Sequence, residues 1–289
     1  MSEASIDRRR AILFLVVAAV LWSTSGLVIK QLSWQPLAVL AGRSIFSGLV
    51  FLVYLRRFPW RPNRWQLIAA GSYILTQFLY ISALKLTTAA NAIFLQYSAP
   101  VYIVLLGYWL LREKPTRADW VAMGVVFAGL GLFFGDNLSL DNLTGVLLAL
   151  LSGVFLGLMT VALRAQKDGA PAESFLVANA FSAVFGFYFV WQEPWTASAW
   201  AGLAYLGIFQ VGLSFVLYSI AIRVIPALEA TLIGTLEPVL NPVWVFLFVG
   251  ERPGPLAVAG GLVVLAGIVL SALAGLRGGE PPAAPEPAS

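Results

Sequence analysis

Residues 234–254, GTLEPVLNPVWVFLFVGERPG, combine two properties that rarely meet. The stretch is apolar enough to sit in lipid. It also carries Glu237, Asn241 and two prolines, Pro238 and Pro242, one helical turn apart. A carboxylate and two helix breakers near the middle of a membrane segment call for a reason. The rest of the chain supplies one.

The 289 residues are 60% hydrophobic and 11% charged. A soluble domain has about 45–50% apolar and about 25% charged residues, so this excess cannot be hidden in one soluble core. The apolar runs are about 20 residues long, the length of a membrane helix rather than of a barrel strand. The fold class expected is therefore an all-α integral membrane protein. Cysteine and histidine are both absent. Disulfides, thiol or histidine catalysis and Cys/His metal sites are thereby excluded. No phosphate-binding P-loop pattern occurs, and AGLGLFFG lies inside an apolar span, where small residues serve close helix contact. No cofactor and no metal are expected.

Ten spans are read, at about 11–30, 37–55, 65–85, 89–111, 118–135, 143–164, 173–192, 198–222, 226–249 and 255–276. The first apolar run continues past WSTSG without a small-residue cleavage site, so it reads as an uncleaved span. Basic residues crowd the connections of one side. These are Arg8, Arg9, Arg10, Arg56, Arg57, Arg61, Arg64, Arg112, Lys114, Arg117, Arg164, Lys167, Arg223 and Arg277, against Lys30, Lys85 and Arg252 on the other. The positive-inside bias makes both termini cytoplasmic, in an inner membrane, with Asp136 and Glu193 outside. The net charge of +4 is then membrane topology, and no nucleic-acid partner is implied. The units are a cytoplasmic N-terminus (1–10), two five-span units (11–135 and 143–276) and a Pro/Ala-rich tail (277–289) expected to be disordered.

The two units are related. Shifted by 138 positions, residues 80–133 match 218–271 without a gap, with 13 identities in 54 positions. Tyr80 meets Tyr218, Pro100 meets Pro238, Glu113 meets Glu251 and Pro115 meets Pro253. Five spans is an odd number, so the second copy enters from the opposite side. Two inverted five-helix repeats around a central cavity are the expected architecture, a construction suited to alternating access.

The fourth span of each unit carries a proline and runs into an acidic-basic-Pro end, APVYIVLLGYWLLREKP and EPVLNPVWVFLFVGERP. These features, with AAVLWSTSGLVIK at the start, resemble the EamA-type transporters of the drug/metabolite transporter superfamily. The resemblance covers residues 11 to 276. It implies a metabolite exporter, of the branch that exports aromatic and other hydrophobic amino acids.

Polar residues inside spans then become site candidates. Pro100 and Pro238 occupy equivalent positions and free carbonyls that must face protein or a water-filled cavity; they read as gate elements or as packing kinks. Glu237 lies near the middle of its span, where ionisable groups face the bundle interior. It can carry a coupling proton, meet a substrate ammonium, or bond a neighbouring helix as the neutral acid. Glu229, eight residues earlier, is a second coupling candidate nearer the cytoplasm. Arg43 is the arginine well inside a span, suited to a substrate carboxylate or to a buried glutamate. Tyr73, Gln77 and Tyr80, with Thr76 beside them, form one helix face; Gln210, Ser214 and Tyr218 form another. Both stripes read as cavity lining or as interhelical bonding. Trp22, Ser23 and Ser25, with Gln96, Tyr97 and Ser98, complete the expected lining.

A secondary exporter of small metabolites, amino acids foremost, is the leading reading. Its partners would be a small-molecule substrate and the bilayer, with proton coupling open and a monomer or weak dimer as the assembly. Exporters of hydrophobic cations or nucleotide sugars remain as alternatives, as does a channel, although an inverted repeat leans against conduction without alternation. No convergent catalytic set is visible, so an enzyme is not expected.

Overall fold

The computed structural model describes residues 6–87, 89–135, 142–240, 244 and 254–277. Every regular element among them is helical. In hydrocarbon a backbone must satisfy its own polar groups, and runs of this length do so as helices. The helices are α1 (Arg8–Ser23), α2 (Ser25–Gln31), α3 (Pro36–Leu55), α4 (Arg64–Leu86), α5 (Ala89–Gln96), α6 (Ala99–Leu111), α7 (Arg117–Phe134), α8 (Leu143–Arg164) and α9 (Pro171–Trp191). They continue with α10 (Ala197–Tyr205), a π-helical segment (Leu206–Leu213), α11 (Ser214–Ala221), α12 (Ala227–Gly234) and α13 (Pro255–Arg277). Residues 236–240 are also helical.

Six stretches are long and apolar enough to cross a membrane among the described residues: Pro36–Leu55, Arg64–Leu86, Ala92–Leu111, Leu143–Arg164, Pro171–Trp191 and Ala197–Ala221. The other four expected spans correspond to α1 with α2, to α7, to the segment beginning with α12, and to α13. The first helix starts at Arg8, so the basic cluster expected in a separate N-terminal segment is its first turn. Asp136, Asn241, Pro242, Glu251, residues 1–5 and the tail from 278 lie outside the described residues.

Helix starts at the surface are capped by side chains. Asn63 and Gln66 form a reciprocal capping box at α4, and Thr116 and Asp119 form one at α7. Asn142 and Thr196 accept from backbone N–H groups of the first turns of α8 and α10.

Four expected spans are interrupted. The first breaks at Thr24, between α1 and α2, and the eighth widens into the π-helical segment. The fourth breaks at Tyr97–Ser98 and the ninth at Thr235. Tyr97 and Thr235 are equivalent under the 138-residue shift, and each break lies just before its proline. Pro100 cannot donate to the carbonyl of Gln96, nor Pro238 to that of Gly234. At the first break Ser23 and Thr24 donate back to the carbonyls of Val20 and Leu21, each at 2.7 Å. Tyr205, just before the π-helical segment, donates to Thr24 Oγ1 at 2.8 Å.

The main packing pairs are α3 with α9, α4 with α8 and α7 with α13. Further contacts join α1 to α11, α3 to the π-helical segment, α4 to α9, α5 and α6 to α8, and α12 to α1. Lipid tails are as apolar as leucine, so close packing rather than the hydrophobic effect holds such helices together. Small residues make it possible: a Cβ on Gly260 would lie 2.6 Å from the Gly129 carbonyl oxygen, so α7 and α13 touch backbone to backbone. The outward faces are apolar, with Val53 76% and Phe185 72% exposed. That is the surface a bilayer covers. The chain is a multi-pass membrane protein.

Hydrogen bonds sort the helix ends into two sets. One set joins Arg8 to Glu229, Arg57 to Glu173, and Arg164 to Glu113 and to the carbonyls of Ile222 and Arg223. The other joins the Gln35 N–H to Glu193 and the Lys85 ammonium to the Trp34 carbonyl. Regular alternation of ten spans puts the first set at one end of the bundle and the second at the other.

Candidate substrate cavity

A cavity of about 80 Å³ lies within the bundle. Eleven of the sequence-selected residues line it: Trp22, Ser25, Arg43, Thr76, Gln77, Tyr80, Gln96, Tyr97, Gln210, Tyr218 and Glu237. These side chains come from both halves of the chain, and each is there for a local reason. Arg43 projects from α3, which the π-helical segment approaches so closely that a Cβ on Gly207 would lie 2.4 Å from the Arg43 carbonyl oxygen. The wide turn of that segment turns Gln210 into the cavity. The breaks at Tyr97 and Thr235 leave uncoiled backbone beside the cavity, as a membrane tolerates only where protein or a water-filled space receives it.

Arg43 is 1% exposed. Its Nη2 donates to Gln77 Oε1 at 2.8 Å, while its Nε lacks a partner. Trp22 Nε1 and Gln210 Oε1 are likewise buried without one. A buried unpaired polar group costs about 1–3 kcal/mol, more when charged. Two unmet donors and one unmet acceptor around one cavity are what a polar ligand would satisfy. Glu237 Oε2 lies 2.9 Å from the Tyr97 hydroxyl, which also lies 2.8 Å from the Gly234 carbonyl oxygen. The Tyr218 hydroxyl donates to Thr160 Oγ1 at 3.3 Å. Trp22, Phe215 and Tyr218 form an aromatic wall, with ring centroids 4.9 and 5.5 Å apart from Trp22. Among the described residues no group of three His, Cys, Asp or Glu could hold a metal ion.

Seven candidates lie elsewhere. Tyr73, one turn before Gln77, is outside the lining, in edge contact with Phe175 and with the lining residue Phe215 at 5.4 Å each. Ser214 donates back to the Gln210 carbonyl, beneath the wide turn. Ser23 accepts from Trp244 Nε1 at 2.7 Å. Ser98 donates to the Leu95 carbonyl at 2.7 Å. Glu229 is held by Arg8 at 2.5 Å at the end of the bundle. Pro100 opens α6. Pro238 is buried one residue after Glu237.

Sequence reasoning missed Leu156, Met159 and Thr160 on α8, Phe215 on α11, and Ala230 and Thr231 on α12, all in the lining. The α8 stretch has no polar stripe to announce it. Thr160 and Thr231 are single hydroxyls that a membrane helix can turn to its own backbone, as Thr231 also does toward Ala227.

The EamA-like transporter family profile matches residues 9–135 and again residues 143–273. The chain belongs to the EamA-like transporter family. It is therefore a membrane transporter. Among its relatives are the uncharacterized transporter YwfM of Bacillus subtilis and the uncharacterized protein PA1977 of Pseudomonas aeruginosa. YwfM is 28% identical over 90% of this chain and 93% of its own. The Pseudomonas protein is 31% identical over 91% and 94%. A solved crystal structure superposes with a TM-score of 0.79 at 23% identity, covering 94% of this chain and all of that one, which shows a shared fold. The family description and the name of YwfM both indicate transport.

Proposed function

We propose that this EamA-like transporter is a secondary exporter of amino acids, working by alternating access around the cavity between Arg43 and Glu237. One observation carries the reading. A single cavity brings together an arginine with an unmet N–H, a carboxylic acid and aromatic walls, contributed by both halves. A zwitterion needs an anion partner, a cation partner and a side-chain pocket, and these residue types offer all three. Aromatic and hydrophobic amino acids are the substrates that the resemblance to the exporter branch implies. The cavity of about 80 Å³ is roughly half the ~150 Å³ that admits benzene. An aromatic side chain would thus enter only after the walls part.

The inverted arrangement of two five-helix units belongs to the same proposal. Exchanging the halves turns the α4–α8 contact into the contact of α11 with α1, and the α9–α4 contact into that of α3 with the π-helical segment. Both members of each pair occur. The separate family matches, 9–135 and 143–273, also support a duplicated unit. The bias of basic loops supports both termini lying in the cytoplasm, with the protein in an inner membrane. The end bearing the three ion pairs is then the cytoplasmic one.

A hydrophobic cation is the second reading, favoured by Glu237 and the aromatic wall and opposed by Arg43. Counterflow in liposomes separates the readings. Saturable uptake of a labelled amino acid, stimulated by unlabelled amino acid inside, supports the proposal. Stimulation by organic cations alone would replace it with the second reading, and conductance without trans-stimulation would replace both with a channel.

A further inference from the structure

Pro238 has no N–H, so the Gly234 carbonyl four residues earlier loses its helical donor. The Tyr97 hydroxyl stands at 2.8 Å from that carbonyl oxygen and 2.9 Å from Glu237 Oε2. A phenol has one hydrogen to donate. When Glu237 is ionised, both neighbours are pure acceptors and one goes without. When Glu237 is protonated, its O–H donates to the Tyr97 oxygen and Tyr97 donates onward to Gly234. Only the protonated acid satisfies all three groups.

We propose that Tyr97 couples the protonation of Glu237 to the break in the ninth span, making the proton the counter-substrate of export. The inference rests on the reading of the cavity as the transport site. The cycle balances in protons. With Glu237 protonated, the chain Glu237–Tyr97–Gly234 is closed and the break is held by a side chain from the equivalent break of the other half. When a substrate ammonium arrives, one proton leaves Glu237. The carboxylate then takes donors from the ammonium and from Tyr97, and the Gly234 carbonyl is released. Proton and substrate thus exclude each other at one carboxyl and leave the break with different partners. The titratable and charged groups facing Glu237 across the cavity, among the described residues, are Arg43 from α3, Tyr80 from α4 and Tyr218 from α11. The faces of α1, α8 and α12 in the lining add none. Arg43 favours the ionised acid, and a substrate carboxylate bound to it would weaken that pull.

The test begins without substrate. Infrared difference spectra of the purified protein in liposomes, between high and low pH, should contain a carboxyl band that Glu237→Gln removes. They should also contain a tyrosine C–O band with the same midpoint that Tyr97→Phe removes. A tyrosine band that survives Tyr97→Phe, or the absence of any carboxyl band removed by Glu237→Gln, overturns the proposal. Transport supplies the second arm. Tyr97→Phe should lose all stimulation by an inward proton gradient, read as the ratio of counterflow with the gradient to the same variant's own counterflow at equal pH. Pro238→Ala should lose that stimulation too, with Tyr97 and Glu237 intact, because alanine restores the donor for Gly234 and ends the competition. Wild-type stimulation in both variants sinks the coupling role. If the wild-type protein shows no counterflow of any substrate, the transport reading fails, and the spectra alone decide whether Tyr97 follows Glu237.

Discussion

Replacing Arg164 by alanine should open the end of the bundle where the ion pairs gather. Arg164 closes α8 with a side chain only 6% exposed. Its Nε donates to Glu113 at 2.9 Å, and its Nη1 to the carbonyls of Ile222 and Arg223 at 2.9 and 2.8 Å. One guanidinium thus ties the start of the second half to the first half and to the end of α11, whose last carbonyls carry the negative end of the helix dipole. Bonds to charged groups contribute about 1.5–3 kcal/mol each, and removing one partner of a fully buried pair costs about 3–5 kcal/mol. Glu113 is 35% exposed, so water recovers part of that loss. A net loss of about 3 kcal/mol for the closed end is expected, a shift of roughly 100-fold toward opening. Arg164→Lys keeps the charge but not the fork that reaches three acceptors, and should lose about half as much. The chain has no cysteine, so Ala221→Cys, at a fully buried position of α11, is a unique reporter. A membrane-impermeant thiol reagent applied from the cytoplasmic side should label it faster by roughly 100-fold with Arg164→Ala and roughly tenfold with Arg164→Lys. Unchanged labelling in well-folded variants, or a rise from the outer side alone, would refute the reasoning.

Three further outcomes are expected. Gly207→Ala forces a methyl to within 2.4 Å of the Arg43 carbonyl oxygen and 2.5 Å of Phe46 Cβ, and should cost about 1–3 kcal/mol, lowering the detergent melting temperature. Pro100→Ala should slow exchange more than it lowers expression, because it re-forms a helical bond across the break at Tyr97–Ser98; unchanged exchange kinetics would reduce that proline to packing. Glu193→Cys should be labelled from the outer face of intact cells, and labelling that needs access to the cytoplasm would reverse the proposed orientation.

Much of the fold was legible because lipid imposes a simple rule. Runs of about 20 apolar residues must coil, and the prolines at 100 and 238 cannot complete the coil. The interruptions at Thr24 and in residues 206–213 were not legible, for neither contains a proline. They lie where Ser23 and Thr24 donate back to their own helix and Tyr205, 181 residues further along the chain, donates to Thr24. The same limit applies to the site. Arg43, Gln77, Tyr80 and Glu237 announced themselves as polar groups at depth. Tyr73 shares their helix face but not their depth, and helical spacing carries no depth information. Glu229 read as a buried acid; its partner Arg8 lies 221 residues away, at a distance no local pattern spans. Met159 and Thr160 went unnoticed because an apolar helix gives no sign of which side meets the cavity.

Substrate affinity in Arg43→Lys protein tests the central claim most directly. Lysine keeps the positive charge of Arg43 and loses the planar fork, including the Nε–H left without a partner beside the cavity. Counterflow is measured in liposomes against the best amino acid of the wild-type screen, with Arg117→Lys, exposed at the start of α7, as a control away from the cavity. The account predicts that Arg43→Lys raises the half-saturating concentration at least about tenfold, the loss of one charge-assisted bond, while the protein stays folded and Arg117→Lys leaves that concentration near wild type. Wild-type affinity in Arg43→Lys protein would contradict it and place the substrate away from this cavity.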